Sequence, residues 1–452
     1  MPQILIGAEA ISQEWPGKKV LSDVSIGINE GERIGIVGKN GGGKTTLLEI
    51  LSGALESDSG RVVRRGNVSV GLLTQRDELD DAMSIREAVV GDRPTHDWAS
   101  DAQTRRIIEA LISDLDWEGP VGILSGGQRR RVDLTRLLVG SWDVLMLDEP
   151  TNHLDMPAIV WLAEHLKTRY PAGTGAIVCV THDRWFLDEV CELTWEVHDG
   201  RVDAFEGGFS AYIQQRLERE QQARAAEVKR QNMLRKELAW LSRGAQARTS
   251  KPKFRIAEAQ ALIADVPPMR NPIELKRAAV SRLGKQVVEM KSVSVTYGAD
   301  DAEAVLDKVD WLVGPGDRYG ILGANGAGKS TLLRIITGAQ SPDSGHVKIG
   351  KSVRFGMMSQ GLDSLADRTD WRVRELLARY KSSYVMDGKE LSPERLLERL
   401  GFETSELMSF IGDLSGGQLR RLALMCVLLE EPNVLVLDEP GNDLDTDMLA
   451  AM

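Results

Sequence analysis

A glycine-rich segment near the amino terminus has the residue types and spacing to hold nucleotide phosphates. Residues 38–45 read Gly-Lys-Asn-Gly-Gly-Gly-Lys-Thr and fit G-x-x-x-x-G-K-[ST], a loop whose backbone N–H groups surround phosphates. Glycines let the backbone approach the phosphate oxygens, Lys44 would reach the β/γ-phosphates, and Thr45 would direct its hydroxyl to Mg²⁺. An apolar run at 34–37 and a helix-like run from 46 supply the strand–loop–helix context that a chance glycine-rich turn would lack.

The same motif returns in the second half of the chain together with two others, so the sequence contains an internal repeat. Residues 323–330 read Gly-Ala-Asn-Gly-Ala-Gly-Lys-Ser. Leu-Ser-Gly-Gly-Gln occurs at 124–128 and again at 414–418. Leu-Asp-Glu-Pro occurs at 147–150 and again at 437–440, each time after an apolar run.

The spacing of these motifs indicates a duplicated domain. Lys44 and Gln75 are 31 residues apart, as are Lys329 and Gln360. The serine of the second motif and the aspartate of the third are 23 residues apart in both copies. Only the interval between the glutamine and the serine differs, 50 residues in the first copy and 55 in the second. We therefore expect a variable helical insert between fixed chemical motifs.

Each copy is predicted to be an α/β domain with a mostly parallel sheet. Short β-branched runs bounded by turns are read as strands: 31–37, 68–73, 144–147 and 176–180. Two stretches with helical spacing, 84–90 and 101–115, form the insert of the first copy. Ser125 and Ser415 each precede two glycines and are predicted to begin a helix. The free N–H groups at the start of that helix would form a second phosphate-binding site.

The segment between the copies differs in composition from both. Residues 224–255 contain ten Lys/Arg and two Glu, a net charge of +8 in a chain whose net charge is −11. Helix-forming residues dominate 212–241 without a proline, the run Ser-Arg-Gly at 242–244 breaks the pattern, and 254–263 can return as a second helix. We expect a helical hairpin with a basic tip; an ordinary solvated charged helix is the alternative.

Bulk composition excludes several classes of protein. The net charge of −11 argues against a protein whose whole surface binds nucleic acid. The three cysteines form no CxxC pair, which argues against a disulfide framework or a cysteine metal site. The sequence has no run of 18 apolar residues and no amino-terminal signal pattern, so we expect a cytoplasmic protein without a membrane span.

Two phosphate loops, two LSGGQ segments and two LDEP strands in this order resemble the ATP-binding cassette superfamily over about 4–205 and 287–452. The basic segment at 237–251 resembles the linker of the ABC-F family. The resemblance implies two P-loop cassettes joined by an α-helical hairpin, with cassette 1 at 1–208, the linker at 209–272 and cassette 2 at 273–452. It also implies that the two cassettes pair head to tail within one chain, rather than as an obligate homodimer, and hydrolyse ATP held between a phosphate loop and the opposite LSGGQ.

The resemblance implies roles for individual residues. The expected ATP-binding residues are Gly38, Asn40, Gly41, Gly43, Lys44, Thr45, Thr46, Gln75, Ser125, Gly126, Gly127, Gln128, Trp15, Gly323, Asn325, Gly326, Gly328, Lys329, Ser330, Thr331, Gln360, Ser415, Gly416, Gly417, Gln418 and Tyr297. The expected Mg²⁺ ligands, direct or through water, are Thr45, Gln75, Asp148, Ser330, Gln360 and Asp438. Glu149 and Glu439 would polarise the attacking water, and His182 would contact the γ-phosphate.

Several of these roles have ordinary structural alternatives. An acidic pair after a strand can be a helix N-cap, and a single histidine is more often structural. Trp15 and Tyr297, which would stack on adenine, could instead be core aromatic residues. Thr-Asn-His-Leu-Asp at 151–155 becomes Gly-Asn-Asp-Leu-Asp at 441–445, which suggests that the two sites are not equivalent.

The ABC-F resemblance implies a translation ATPase whose basic segment 224–255 contacts rRNA and peptidyl-tRNA on the ribosome. The alternatives are a DNA-associated ATPase of repair or transposon excision and the ATPase subunit of a transporter. The sequence ends at Met452, soon after Asp445. The next strand of the family fold would lie between the phosphate-loop strand and the LDEP strand, and its absence would open the sheet. We therefore expect the sequence to be part of a longer protein.

Overall fold

A computed structural model describes residues 3–15, 18–75, 77, 79–171, 173–219, 221–222, 287–297, 304–324, 326–358, 365, 367–386, 389–399, 402, 406–414 and 416–438. The basic segment 224–255 lies outside these residues, as does most of the expected hairpin at 209–272. The described residues fall mainly in the two repeated copies.

The first copy contains two sheets. Its strands are β1 Ile4–Trp15, β2 Lys18–Asn29, β3 Arg33–Gly38, β4 Ser59–Arg64, β5 Val70–Leu73, β6 Val144–Asp148, β7 Ala176–Val180, β8 Leu193–His198 and β9 Arg201–Glu206. β2, β1 and β4 form a three-stranded antiparallel sheet. The other six strands form a sheet in the order β5-β6-β7-β3-β8-β9, in which only the β8/β9 pair is antiparallel. The α/β prediction is confirmed for this copy.

Seven helices lie in the described residues of the first copy. They are α1 Lys44–Ser52, α2 Ile85–Val90, α3 Thr95–Ser100, α4 Ala102–Ile112, α5 Gly126–Val139, α6 Met156–Arg169 and α7 Arg184–Val190, with a 3₁₀ turn at Val121–Ile123. The insert helices begin where their caps predict. Ser84 and Glu87 form a reciprocal capping box at α2, and the Asp101 carboxylate accepts hydrogen bonds from two backbone N–H groups of α4.

The central strands are buried on both faces, which explains their continuous apolar runs. Every residue of β6 and β7 is buried. Leu145 and Leu147 point into a core made with α2, α4, α5, α6 and α7. Val144 and Met146 point to the opposite face, into a core made with α1, β1 and β2. The sheet is thereby fixed between two layers, and the carboxyl ends of its strands meet the loops that carry the chemistry.

The second copy repeats part of this architecture. Its strands are β10 Val288–Thr296, β11 Ala304–Val313, β12 Ser344–Ile349, β13 Phe355–Met358, β14 Tyr384–Met386, β15 Lys389–Leu391 and β16 Val434–Leu437. Its helices are Lys329–Thr337, Val373–Leu377, Pro393–Arg399 and Gly416–Leu429, with 3₁₀ turns at Glu406–Met408 and Ile411–Asp413. β11, β10 and β12 form an antiparallel sheet, and β13 pairs in parallel with β16.

Residues 319–322, the apolar run before the second phosphate loop, form no strand in the structure, and Leu322 is 82% exposed. Among the described residues of the second copy, no strand pairs with this run. In the first copy, β3 receives its ladder hydrogen bonds from β7 on one side and β8 on the other. Both partners follow the LDEP strand in the chain, and the described part of the second copy ends one residue after β16. An apolar run becomes a strand only where neighbouring backbone is available.

A helix that follows β9 is anchored on the first copy. Residues 209–219 form a helix whose Phe209 and Tyr212 are buried in the core with Phe205. The Asp188 carboxylate on α7 accepts hydrogen bonds from Ser210 N (2.7 Å) and Ser210 Oγ (2.6 Å). The segment after β9 therefore leaves the cassette from a fixed point beside α7.

His165 on α6 should make the stability of cassette 1 depend on pH. Its ring stacks on Trp161 with centroids 4.9 Å apart, and Nε2 is buried without a hydrogen-bond partner among the described residues. Burial, aided by Arg169, lowers the pKa of His165 from 6.5 to about 4. Between pH 6.5 and pH 4, His165 is therefore protonated in the unfolded chain but mostly neutral in the folded chain. The free energy of unfolding should fall by about 1–2 kcal/mol as the pH drops from 6.5 to 4.

Urea unfolding midpoints measured from pH 7 to pH 4.5 test this expectation. A His165→Leu variant should lose this part of the pH dependence, whereas His96→Leu, which removes an exposed imidazole on α3, should keep it. Equal pH dependence in wild type and His165→Leu would contradict the assignment.

Candidate nucleotide site

The phosphate loop of the first copy is shaped by glycines that no other residue could replace without strain. Gly38 has a φ of 147°, and a Cβ there would lie 2.3 Å from the Val197 carbonyl oxygen. Gly43 has a φ of 102°, and its Cβ would lie 2.5 Å from a Val20 methyl group. Both conformations favour glycine, so the loop follows from the sequence motif through backbone geometry.

Lys44 lies inside this loop with its ammonium held by loop oxygens. Its Nζ donates to Gly38 O at 2.8 Å, Lys39 O at 3.2 Å and Asn40 Oδ1 at 3.3 Å, and the residue is 7% exposed. The charge is thereby fixed at the amino end of α1, where the helix dipole is also positive. This arrangement favours an anion with several oxygens, such as a nucleotide phosphate.

Thr45 and Asp148 meet although 103 residues separate them. Thr45 Oγ1 donates to Asp148 Oδ2 at 2.6 Å, and Gln75 Nε2 lies 3.4 Å from the same hydroxyl. Asp148 is 1% exposed, and its Oδ1 has no hydrogen-bond partner among the described residues. Burial raises the pKa of Asp148, while Thr45, Arg130 and Lys44 favour the charged form. A buried carboxylate oxygen beside a hydroxyl and an amide is a donor set that suits Mg²⁺.

Glu149 and His182 lie together at the carboxyl ends of β6 and β7. His182 Nε2 is 3.3 Å from Glu149 Oε1 and 3.2 Å from Asn40 Oδ1, and His182 N donates to Glu149 Oε2 at 3.4 Å. Burial, with a smaller effect of Lys44, lowers the pKa of His182 to about 3. The contact is therefore a hydrogen bond from a neutral imidazole rather than an ion pair, and the two acceptors at Nε2 indicate that this nitrogen carries the proton.

The LSGGQ segment of the first copy is the capped start of α5. Ser125 Oγ accepts from Gln128 N at 3.3 Å, and Gln128 Oε1 accepts from Ser125 N at 2.9 Å. Gly126 and Gly127 form the first turn, and a Cβ on Gly127 would lie 3.2 Å from the His153 side chain. The prediction that Ser125 opens a helix is confirmed.

Trp15 at the end of β1 is 44% exposed and Tyr297 after β10 is 49% exposed, so neither ring is a core residue. Tyr297 Oη also donates to Gln340 Oε1 at 2.9 Å and lies 3.3 Å from Thr331 Oγ1 in the helix that follows the second phosphate loop. Both aromatic residues are therefore accessible to a ligand.

Comparison with known proteins agrees with these features. A family model described as ABC transporter matches residues 21–152 and 306–442, and an extension model with the same description matches 195–272. The chain is 36% identical to the ABC transporter ATP-binding protein YfmR of Bacillus subtilis, over 99% of this chain and 76% of that protein. It is 33% identical to the energy-dependent translational throttle protein EttA of Haemophilus influenzae, over 97% of this chain and 84% of that protein. It is 32% identical to EttA of Escherichia coli K12, with the same coverage.

The chain belongs to the ABC-F family of ATP-binding cassette proteins. It is therefore an ATPase of the cassette type, a class that binds ATP together with Mg²⁺. Within the described residues of this ABC-F protein, no helix combines the length and the apolar character that crossing a bilayer requires.

The second site of this ABC-F protein is described only in part. Lys329 Nζ donates to Gly323 O and Ala324 O, both at 2.8 Å, which repeats the arrangement at Lys44. Gly326 and Gly328 have positive φ values of 80° and 88°. Four of the predicted residues lie outside the described part of the chain: Asn325, Gln360, Ser415 and Glu439.

The remaining members of the second site are not brought together as in the first. Thr331 is buried in the helix after the loop, and Gly416, Gly417 and Gln418 form the first turn of the helix Gly416–Leu429. Asp438 N donates to Met358 O at 2.9 Å. Among the described residues no hydrogen bond joins Ser330 to Asp438, in contrast to the Thr45–Asp148 pair.

Two sets of contacts near the first site were not predicted from the sequence. Thr151 Oγ1 and Thr181 Oγ1 lie 2.9 Å apart and join the segments that follow β6 and β7. Arg130 on α5 donates to the backbone carbonyls of Thr74 and Asp148. The internal repeat contains a signal for the arginine, because Gln-x-Arg-Arg follows the signature glycines in both copies.

Proposed function

We propose that this ABC-F ATPase acts on the ribosome, and that ATP-driven closure of its two cassettes controls contact with the ribosome and tRNA. The observation that carries the proposal is the similarity to EttA, named an energy-dependent translational throttle protein, along 97% of this chain. That span includes 195–272, where the extension model matches and where the net charge of +8 is concentrated. A narrow positive segment on an acidic body suits contacts to RNA phosphates and shape.

We assign the domains as cassette 1 at 1–208, the linker at 209–272 and cassette 2 at 273–452. Family matches at 21–152, 195–272 and 306–442 support this division. In the proposed closed state, ATP lies between the phosphate loop of one cassette and the LSGGQ segment of the other, so the pairing occurs within one chain.

In the first site, Lys44 and the loop N–H groups would hold the phosphates, and Thr45, Asp148 and Gln75 would hold Mg²⁺. The unpartnered buried oxygen of Asp148 supports this assignment. When bound, Mg²⁺ would offset negative charge on the phosphate oxygens. Glu149 would orient and polarise the attacking water as general base. His182 would hold Glu149 in place through its backbone N–H and would donate the single Nε2 proton of its neutral ring toward the γ-phosphate.

The second site would use the corresponding residues: Lys329, Ser330, Asp438, Gln360 and Glu439. Trp15 and Tyr297 would stack on the adenines, which their exposure permits. The start of the proposed linker is hydrogen-bonded to α7, and α7 begins two residues after His182. This arrangement supports a coupling of the nucleotide site to the basic segment.

Ribosome co-sedimentation tests the proposal. Protein carrying Glu149→Gln and Glu439→Gln should pellet with 70S ribosomes in ATP and stay in the supernatant in ADP. Replacing Arg243, Arg248 and Lys251 by glutamine should weaken pelleting and make it less dependent on salt. The variant would contact fewer phosphates, so that fewer counterions are released on binding. A matched set on cassette 1, Arg61, Arg105 and Arg106 to glutamine, should leave pelleting unchanged.

Absence of ATP-dependent pelleting would refute the ribosomal proposal without touching the ATPase assignment. Stronger stimulation of ATP hydrolysis by branched DNA than by ribosomes would favour the DNA-associated alternative. Stable capture of a membrane protein would favour the transporter alternative.

A further inference from the structure

Arg130 occupies an unusual position for a cation. It lies in the second turn of α5 and is 9% exposed, and its guanidinium donates to Thr74 O from one terminal nitrogen and to Asp148 O from the other. Thr74 immediately precedes Gln75, and Asp148 immediately precedes Glu149. A single side chain therefore joins the backbone of the two segments that carry these residues.

The neighbouring arginine fixes the continuation of the first segment. Arg129 donates to Asp77 Oδ1 at 2.6 and 3.0 Å, to Leu79 O at 2.9 Å and to Asp81 Oδ1 at 2.5 Å. The start of α5 thus holds the chain before and after Gln75. Because Ser125 caps the same helix, the LSGGQ turn and these two arginines belong to one short rigid element.

Keeping Arg130 at this place has an energetic cost. Burial lowers the pKa of its guanidinium, against the opposing effect of Asp133, Asp148 and Glu149. A buried cation is tolerated only when its donors are used and counter-charges lie near it. Two backbone carbonyls at fixed separation match the planar fork of arginine, and the single ammonium of lysine cannot serve both in the same geometry.

We propose that Arg130 is a positioning residue for ATP hydrolysis: it sets Gln75 and Glu149 of its own cassette according to the place of the LSGGQ turn. A shift of the first turns of α5 would move both segments together, so that docking of this turn on a nucleotide adjusts the hydrolytic residues of the other site. The inference rests on the proposed roles of Gln75 and Glu149. Arg420, the corresponding residue of the second copy, is also buried, with 4% of its surface exposed.

The same helix provides a matched control. Arg131 Nη1 donates to Asp114 Oδ1 at 2.7 Å and to Leu111 O at 3.1 Å, and Arg131 Nη2 donates to Asp114 Oδ2 at 2.8 Å. These partners lie in and just after α4, away from Gln75 and Glu149. Arg131 therefore resembles Arg130 in chemistry and helix but lacks the link to the proposed hydrolytic residues.

The experiment measures ATP hydrolysis by the full-length protein without ribosomes, in a Glu439→Gln background so that turnover reports the site of Lys44 and Glu149. Arg130→Lys should lower kcat about 10-fold or more, since small misplacement of reacting groups is costly. Its KM and its Kd for a non-hydrolysable ATP analogue should stay within about 3-fold of the parent, and its Tm should match that of Arg131→Lys. Arg131→Lys should keep the parental kcat.

An unchanged kcat in Arg130→Lys would overturn the inference. So would a loss of kcat that is accompanied by equally large losses of ATP affinity and of Tm relative to Arg131→Lys. Arg130→Gln serves as a second variant, and failure of both variants to fold would assign Arg130 a purely structural role. Glu149→Gln in the same background distinguishes the proposed role of Glu149 from the inference about Arg130. If Glu149→Gln retains turnover, the proposed role of Glu149 fails. If only Arg130→Lys retains turnover, the inference about Arg130 alone fails.

Discussion

Replacing Glu149 and Glu439 together by glutamine is expected to lower ATP hydrolysis by about 100-fold or more, which corresponds to about 3 kcal/mol of barrier. Glutamine preserves the shape of the side chain and can still contact His182, but it cannot accept a proton from water. Phosphoryl transfer depends on positioning and charge stabilisation, so the loss should fall on turnover and not on ATP binding.

Phosphate release under steady-state conditions measures the rate, and equilibrium binding of a labelled ATP analogue measures the affinity. Glu189→Gln on α7, whose carboxylate forms a surface ion pair with Lys167, is the control and should hydrolyse ATP at the parental rate. A double variant with a rate within 3-fold of the parent would remove both glutamates from the proposed mechanism.

Lys44→Met is expected to weaken ATP binding at the first site by roughly 10- to 150-fold, the equivalent of about 1.5–3 kcal/mol for lost charged hydrogen bonds. The ammonium is already held over the loop by Gly38 O, Lys39 O and Asn40 Oδ1, so little ordering is needed when phosphate binds. Methionine keeps the length and the apolar stem, which limits the effect on folding.

The measurement uses a fluorescent ATP analogue in a Lys329→Met background, so that a single site is titrated. Lys39→Met is the matched control: Lys39 lies in the same loop, but its side chain is exposed. Lys44→Met with the affinity of Lys39→Met would show that the ammonium does not bind phosphate, and circular dichroism would establish that both variants are folded.

Local chemistry made much of cassette 1 predictable. The phosphate loop needs glycine at Gly38 and Gly43 for steric reasons that the motif already expresses. Ser84, Asp101 and Ser125 cap helices because their side chains satisfy free N–H groups nearby in the chain.

Contacts that depend on distant backbone were not predictable in the same way. Arg130 binds two backbone carbonyl groups that are 56 and 18 residues away in the chain. Because every residue has a backbone carbonyl, the sequence does not indicate which residues Arg130 binds. Residues 319–322 have the composition of a strand, yet β3 shows that this segment needs partners on both sides. The fold of a segment is then decided by its neighbours and not by its own residues.

Glu149 follows β6 with a φ of 50°, a backbone conformation that glycine adopts freely and that costs other residues about 1 kcal/mol or more. Glycine at this position would relieve the unfavourable conformation but would remove the carboxylate. Under the proposed role of Glu149 as general base, backbone stability and turnover therefore favour different residues at this position. An acid here is then a local trade-off in which the proposed activity outweighs stability.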